Sequence, residues 1–295
     1  MLVKKIDIHV HSGLTKEIPR PYGDGGDFTT PDELRAMYDK MGIEFGVQLP
    51  TVNPEFGHHM ITNEESYQMV QQFPETYAWF CNIDPRWGIN GADTDFRYFI
   101  EKYRAMGAKG VGEVCANLYF DDPRVESLFA ACEAEGMPLT FHIGDEGYDY
   151  GLIDELGLPR LERALQKFPK LQFLGHSQKF WAEIGPCTAE ERAGYPTGKV
   201  LPGGRVVELM RKYPSLCGDL SAGSGENAIM RDPEFGYAFL EEFQDRLYYG
   251  TDTCDPRNEW HLHTFLDDAV INGKISQAAY EKICRGNALR LLNRN

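Results

Sequence analysis

Eight short apolar runs, each followed by a stretch of helical period, constrain this 295-residue chain more than any other feature. The runs are Val3–His9, Phe45–Leu49, Tyr77–Ile83, Ala108–Val114, Leu139–Ile143, Leu171–His176, Leu216–Leu220 and Leu247–Thr251. Each is too short and too continuously apolar for a surface helix and reads as a strand buried on both faces. Strands alternating with helices imply parallel pairing through right-handed crossovers. A doubly wound open sheet satisfies that rule, but eight regular units suit a closed (β/α)8 TIM barrel better.

The helices have readable ends. Thr30-Pro31-Asp32-Glu33 is a capping box with proline in the first turn; Leu34, Met37, Tyr38 and Met41 follow on one face, and Gly42 can stop the helix. Thr62-Asn63-Glu64-Glu65 opens the next helix in the same way. Asp122-Pro123 and Pro159 open two more. Phe235–Phe243 reads as a helix, and the region from Trp260 to Leu292 reads as helical with a break at Asn272-Gly273. Links from helix to strand are tiny, such as Gly107 and Pro169–Lys170. Links from strand to helix are long: Val10–Thr30, Thr51–Ile61, Cys115–Asp122, Gly144–Leu158 and Ser177–Gly203. In a barrel, loops of the second kind build the functional face. The expectation is one domain over residues 1–295, with Gly23-Asp24-Gly25-Gly26 as a lid in the first long loop.

Composition narrows the function. Lys and Arg number 30 against 45 Asp and Glu, a formal charge of −15. That argues against a nucleic-acid surface, which needs a basic face, and against docking on anionic lipid. No apolar run approaches the roughly 20 residues of a membrane helix, and the first residues lack a signal-peptide core. The seven cysteines are scattered and never spaced C-x-x-C, which suits buried thiols in a reducing cytoplasm. Cys254, two residues after Asp252, is the one with a possible site role.

Chemistry gathers at the strand ends. His9 and His11 close the first strand, Glu113 the fourth, His142 the fifth, His176 the sixth and Asp252 the eighth. A closed barrel brings these ends to one mouth. In an extended strand, residues i and i+2 share a side about 6.5–7 Å apart, so both imidazoles of His9-Val10-His11 can reach one ion. Such a mouth suits Zn²⁺, and also Mn²⁺ or Fe²⁺. One strand histidine alone reads as a satisfied core residue; six metal-capable strand ends do not.

With Asp7-Ile8-His9-Val10-His11, Gly112-Glu113, Phe141-His142, Gly175-His176-Ser177 and Tyr249-Gly250-Thr251-Asp252 in this order, the chain resembles the amidohydrolase superfamily of metal-dependent TIM-barrel hydrolases. Gly286-Asn287-Ala288-Leu289-Arg290-Leu291-Leu292 looks like that family's closing helix. The branch it resembles most is the amidohydrolase-related one, which also holds aminocarboxymuconate-semialdehyde decarboxylase and related non-oxidative decarboxylases. The resemblance implies that His9, His11 and Asp252 bind the more buried metal, with His142 joining in a mononuclear site, and that Asp252 or His176 handles the proton. Glu113 resembles the TatD-type glutamate that bridges two metals; orienting a histidine is the other role open to it. One or two ions are therefore expected.

The expected activity is hydrolysis of a small amide, ester or lactone by metal-activated water, with decarboxylation of a small unsaturated or aromatic acid as the alternative. A TatD-like nuclease fits the acidic balance poorly, and a catalytically dead binding barrel has no need of six metal-capable ends. The expected partner is a small-molecule substrate, with no nucleic acid and no membrane, and homo-oligomerisation is left open. Other polar and aromatic residues lie in the segments around the same mouth. His58 and His59 suit a surface loop, and His261 and His263 a helix face. Lys179 and Trp181 could supply an anion contact and a pocket wall. Arg20, Arg86 and Arg257 could hold a substrate carboxylate. Asp145, Glu146, Asp149 and Asp154 read as a solvated acidic loop.

Overall fold

The structure is a computed structural model that describes residues 1–16, 26–56, 60–147 and 150–294. All eight expected strands are present: β1 (Lys5–Val10), β2 (Ile43–Gln48), β3 (Tyr77–Trp79), β4 (Val111–Val114), β5 (Leu139–Phe141), then, after a short parallel pair β6 (Ile143–Gly144) and β7 (Leu152–Ile153), β8 (Phe173–Gly175), β9 (Leu216–Asp219) and β10 (Leu247–Tyr248). Pairing is parallel in the order β1-β2-β3 and β4-β5-β8-β9-β10. Two seams join these arcs into a closed barrel. At one, Cys81 N–H donates to Gly110 and Gly112 N–H donates to Cys81, at 3.0 and 2.8 Å. At the other, Ile8 N–H donates to Tyr249 and Asp252 N–H to His9, at 3.0 and 2.8 Å.

The helices begin and end for the reasons visible in the sequence. The first ones are α1 (Pro31–Met41), α2 (Asn63–Gln72), α3 (Phe96–Ala105), α4 (Pro123–Glu135) and α5 (Pro159–Lys167). Thr30 accepts from the Glu33 N–H and Glu33 accepts from the Thr30 N–H, and Gly42 ends α1 at φ 68°. At Thr62 only half the expected box forms, because the Glu65 carboxylate turns to the Leu14 N–H at 2.9 Å. After β8 come α6 (Gln178–Ala182), α7 (Ala189–Arg192) and α8 (Arg205–Lys212). After β9 come α9 (Ala222–Met230) and α10 (Pro233–Glu242); after β10, α11 (Leu262–Ile271), α12 (Gln277–Glu281) and α13 (Asn287–Leu291). The sequence reading did not foresee α6, α7 or α9. The glycine- and serine-rich Ala222-Gly223-Ser224-Gly225 has poor helix propensity and helix α9 is imposed by packing.

Two apolar layers hold the barrel. A smaller cluster of alternate strand residues, including Ile6, Ile8, Phe45, Val47, Phe80 and Leu174, is capped by Ala288 and Leu292 of α13 and its following turn. A larger one lies between the strands and the helices. Strand β1 changes phase between them. Three steps on β1, from Asp7 to Val10, oppose two on β2, from Gly46 to Gln48, which is a β-bulge. Below it Ile6 and Ile8 point inward and Asp7 outward, toward the Tyr38 hydroxyl at 2.8 Å. Above it Val10 joins the outer layer, so His9 and His11 turn into the mouth.

Seven free cysteines fit the expectation of unlinked thiols; five are buried. No helix among the described residues is long and apolar enough to cross a membrane. The expected lid at Gly23–Gly26 lies outside the described residues except for Gly26, which is buried.

Candidate metal centre

His9 and His11 are held from behind by hydrogen-bond acceptors. His9 Nδ1 lies 2.7 Å from Asp219 Oδ2, and His11 Nδ1 lies 2.8 Å from the Leu49 carbonyl. Both Nδ1 atoms therefore carry the proton and donate it, which leaves both Nε2 atoms as bare acceptors. Those two Nε2 atoms face each other at 3.0 Å. Glu113 Oε2 stands 3.6 Å from each of them, and Asp252 Oδ1 3.5 Å from each. Four acceptors converging with no donor between them call for a cation. Donors 2.0–2.1 Å from a tetrahedral ion stand about 3.3–3.4 Å from one another, close to these five separations. The donor set thus fits a divalent metal.

Glu113 has a second face. Its Oε1 lies 2.7 Å from His142 Nδ1 and 3.7 Å from His176 Nε2, and that His176 nitrogen lies 3.6 Å from Asp252 Oδ2. His142, expected as the fourth donor beside His9, His11 and Asp252, has its Nδ1 against Glu113 Oε1, and Glu113, His142 and His176 make a second group of side chains able to hold a metal. Glu113 reaches the mouth because Gly112 precedes it. Gly112 has φ 137°, and a Cβ there would sit 2.6 Å from the Thr140 carbonyl. His176 is turned by Ser221, whose hydroxyl lies 2.9 Å from Nδ1.

The electrostatics agree with a site built for positive charge. Burial, the largest influence on His9, opposes its charge, yet Asp219, Asp252 and Glu113 outweigh it and hold its basicity well above the usual imidazole range. Burial likewise pushes Glu113 toward neutrality, and His142 and His9 reverse this, holding it well below the usual carboxylate range. Burial and then the His9 charge depress His176, but Asp252, Glu113 and Asp219 leave it raised.

Beside the donors opens a cavity of about 230 Å³ walled by Phe28, Phe56 and Tyr150, with Glu55 and Cys254 at its margin. Phe56 and Tyr150 stack at 5.7 Å, and Tyr150 lies 4.5 Å from the His142 ring. A second cavity, of about 170 Å³, adjoins the first and shares His142, Tyr150 and Asp252 with it. Lys179, buried at its wall, lies 3.2 Å from Asp145.

The remaining candidates separate clearly. Trp181 is buried and donates to the Asp219 carbonyl at 2.8 Å, steadying the segment that holds His9. Arg86 forks onto Asp84 and Glu55, and Arg257 is paired with Asp255. His261 is exposed near Glu226, and His263 lies half-buried on α11. His58, His59, Arg20 and Asp149 lie outside the described residues. Asp154 corrects the solvated-loop expectation: it is 4 % exposed and accepts from the Arg160 and Leu161 N–H groups at the start of α5. The sequence reading missed Asp219. Its signal was available, since it lies one residue from the end of the seventh predicted strand, as Glu113 does in the fourth.

A (β/α)8 barrel with paired histidines and carboxylates at its mouth is the architecture of metal-dependent TIM-barrel enzymes. The chain belongs to the amidohydrolase family: the model for that family, Amidohydro_2, matches residues 6–294. No curated protein matches it. Among solved structures it is similar to 5-carboxyvanillate decarboxylase from Sphingomonas paucimobilis, with 15% identity, TM-score 0.60 and full coverage of both chains. It is also similar to a dihydroxybenzoic acid decarboxylase from Polaromonas with bound manganese, at 16% identity and TM-score 0.58, covering 100% of this chain and 98% of that one. A third is the probable 2-pyrone-4,6-dicarboxylic acid hydrolase from Acinetobacter baumannii, at 14% identity and TM-score 0.59, covering 99% of this chain and 100% of that one. At these identities the likeness establishes the shared fold.

Proposed function

We propose that the chain, as one domain over residues 1–295, is a metal-dependent carboxy-lyase acting on a small aromatic or unsaturated acid. The observation that carries this reading is the junction of an aromatic-walled cavity with the histidine pair that Glu113 and Asp252 each approach within 3.6 Å. His9, His11, Glu113 and Asp252 would hold one divalent cation, with His142 and His176 close by. Zn²⁺ suits the imidazoles, and Mn²⁺, which the Polaromonas neighbour binds, suits the carboxylates and offers more open positions. The cation would supply a positive centre for the acid's carboxylate and for charge that builds as the carbon–carbon bond breaks. Phe28, Phe56 and Tyr150 would stack a flat ring and keep water out. His176, paired with Asp252, would deliver the proton to the carbon that loses carbon dioxide. The 2.7 Å contact of Glu113 with His142 supports a single ion: it is a charge-assisted hydrogen bond, shorter than two donors around one ion stand. The printed activities of the two decarboxylase neighbours favour this reading over the hydrolytic one.

Hydrolysis of a small lactone, ester or amide is the second reading. Glu113 Oε1, His142 and His176 form a second group of donors, so Glu113 could bridge two ions. One experiment decides. Metal content per chain is measured on the protein as purified and after reconstitution, and the same sample is offered hydroxylated benzoic acids, unsaturated acids, lactones and esters. One ion per chain with carbon dioxide released from an acid supports the carboxy-lyase. Ring opening or ester cleavage without carbon dioxide, with two ions bound, overturns it.

A further inference from the structure

The side chains at the mouth are held in two different ways. His9 and His11 each have a second ring nitrogen, which an acceptor behind it grips. Glu113 has no such rear atom. Its Oε2 faces the histidine pair and its Oε1 faces His142, so both oxygens are engaged at the mouth. Where the carboxylate stands is therefore decided by the backbone that carries it.

That backbone lacks its ordinary support. From Val111 to Val114, three steps on β4 oppose two on β5, from Leu139 to Phe141, so Glu113 lies in a β-bulge. Toward β3, the last backbone hydrogen bond of β4 among the described residues runs from the Gly112 N–H to Cys81. Two side-chain amides take over from there. Asn82, just beyond β3, donates through Nδ2 to the Glu113 carbonyl at 2.7 Å and to the Pro50 carbonyl at 2.8 Å. Asn53, in the loop after β2, accepts from the Cys115 N–H at 3.0 Å. Asn82 Nδ2 also lies 3.4 Å from Asn53 Oδ1, so three oxygens surround it and fix which end of the amide is nitrogen. Asn53 is anchored in turn, donating to Asp84 at 2.8 Å. Both asparagines are fully buried, where a satisfied polar network holds its members rigidly.

We propose that Asn82 and Asn53 are positioning residues of the metal centre. They clamp the backbone of residues 113–115 where the strand ladder is missing, and so set the place of the Glu113 carboxylate opposite His9 and His11. This rests on the reading of Glu113 as a donor to one divalent cation. Neither asparagine touches the cation; each acts on it through Glu113.

The test is a double-mutant cycle read by metal affinity. Binding of Mn²⁺ and of Zn²⁺ is measured by competition with a chelating dye for the parent, Asn82→Ala, Asn53→Ala, Glu113→Ala and the two double variants. Asn82→Ala is expected to weaken binding about 10- to 100-fold, the scale for a residue that orients a ligand. In the Glu113→Ala background the same substitution should change affinity less than about threefold, because the residue it acts through is gone. Asn53→Ala should show the same pattern. In Co²⁺-loaded protein the visible spectrum of Asn82→Ala should move toward that of Glu113→Ala. Asn287→Ala is the matched lesion, since Asn287 is equally buried and donates to the Gln244 and Leu247 carbonyls at 2.8 and 2.7 Å, by the start of β10. It should lower the melting temperature as Asn82→Ala does, yet leave metal affinity within about twofold.

Equal losses from Asn82→Ala with and without Glu113, or equal losses of affinity from Asn82→Ala and Asn287→Ala, would reduce the asparagines to general packing and overturn the proposal. Parent-like affinity in Asn82→Ala beside a weakened Glu113→Ala would remove the clamp and leave Glu113 a donor. Parent-like affinity in Glu113→Ala would remove both. If Asn82→Ala does not fold, Asn53→Ala carries the same cycle and decides alone. The expected cycle in a protein that releases carbon dioxide from no acid would leave the clamp standing and remove the carboxy-lyase.

Discussion

Asp219 Oδ2 lies 2.7 Å from His9 Nδ1 and so decides which nitrogen His9 shows to the cage. Behind it, Trp181 Nε1–H donates to the Asp219 carbonyl at 2.8 Å. Replacing this carboxylate should therefore damage the centre without touching a donor. Asp219→Asn is expected to fold and to lose about 10- to 100-fold in metal affinity, the usual cost of removing a residue that orients a ligand histidine. Competition with a chelating dye measures it; unchanged affinity would show that His9 needs no such support.

The donors themselves should matter more. His9→Ala and His11→Ala each remove one of four converging atoms, and neither variant should retain stoichiometric metal after reconstitution. The parent's melting temperature should fall on treatment with a chelator, and these variants should melt at the same temperature with or without it.

Asp252 is a quarter exposed, with Oδ1 toward the histidine pair and Oδ2 3.6 Å from His176. Asp252→Asn keeps one oxygen and the shape but cannot pass a proton. Retained metal with kcat lower by roughly 10²–10⁴ is expected on whatever substrate the parent turns over. Full activity of the loaded variant would remove Asp252 from proton handling.

Asp154 should make stability depend on pH. Burial pushes its pKa up to about 7 from 3.8, against the partial relief of the Leu161 and Arg160 N–H groups. Between these values the folded protein binds a proton that the unfolded chain releases. The contribution is full below about pH 4 and is lost as pH rises through about 7, with a limiting slope near 1.4 kcal/mol per pH unit. Urea unfolding from pH 5 to 8 should show the parent losing stability with rising pH relative to Asp154→Asn. Parallel curves for the two proteins would contradict this.

Gly112→Ala should be a stability mutation with a functional echo. The added methyl would meet the Thr140 carbonyl at 2.6 Å with the backbone at φ 137°, a cost of roughly 2–4 kcal/mol. Thermal unfolding reads the cost, and metal affinity reads the displacement of Glu113.

Much of this was legible beforehand because strand ends and helix caps are local signals. The Thr30 box, Gly42 and the eight apolar runs depend on neighbours in sequence, and each reappears where expected. The convergence of His9, His11, Glu113, His142, His176 and Asp252 followed from topology alone. What escaped depends on contacts distant in sequence. The β-bulge that turns His9 inward while Asp7 faces Tyr38 leaves no mark in the alternation of residues. The 2.7 Å contact of Glu113 with His142 joins residues of two strands and leaves no mark in either run. Helix α9 hides in a segment of small residues, and the burial of Asp154 is fixed by where α5 happens to start.

The seam where Asp252 N–H meets the His9 carbonyl joins the first strand of the barrel to the last. Those two residues lie 243 positions apart. During synthesis at about 5–20 residues per second, the histidine pair leaves the ribosome roughly 12–50 s before its carboxylate partner is made. Until then the nascent chain offers the pair of imidazoles only one of its two carboxylate partners, Glu113. An ion held by all four donors would thus be among the last things added in biogenesis, and a chain terminated before Asp252 would lack one of those donors.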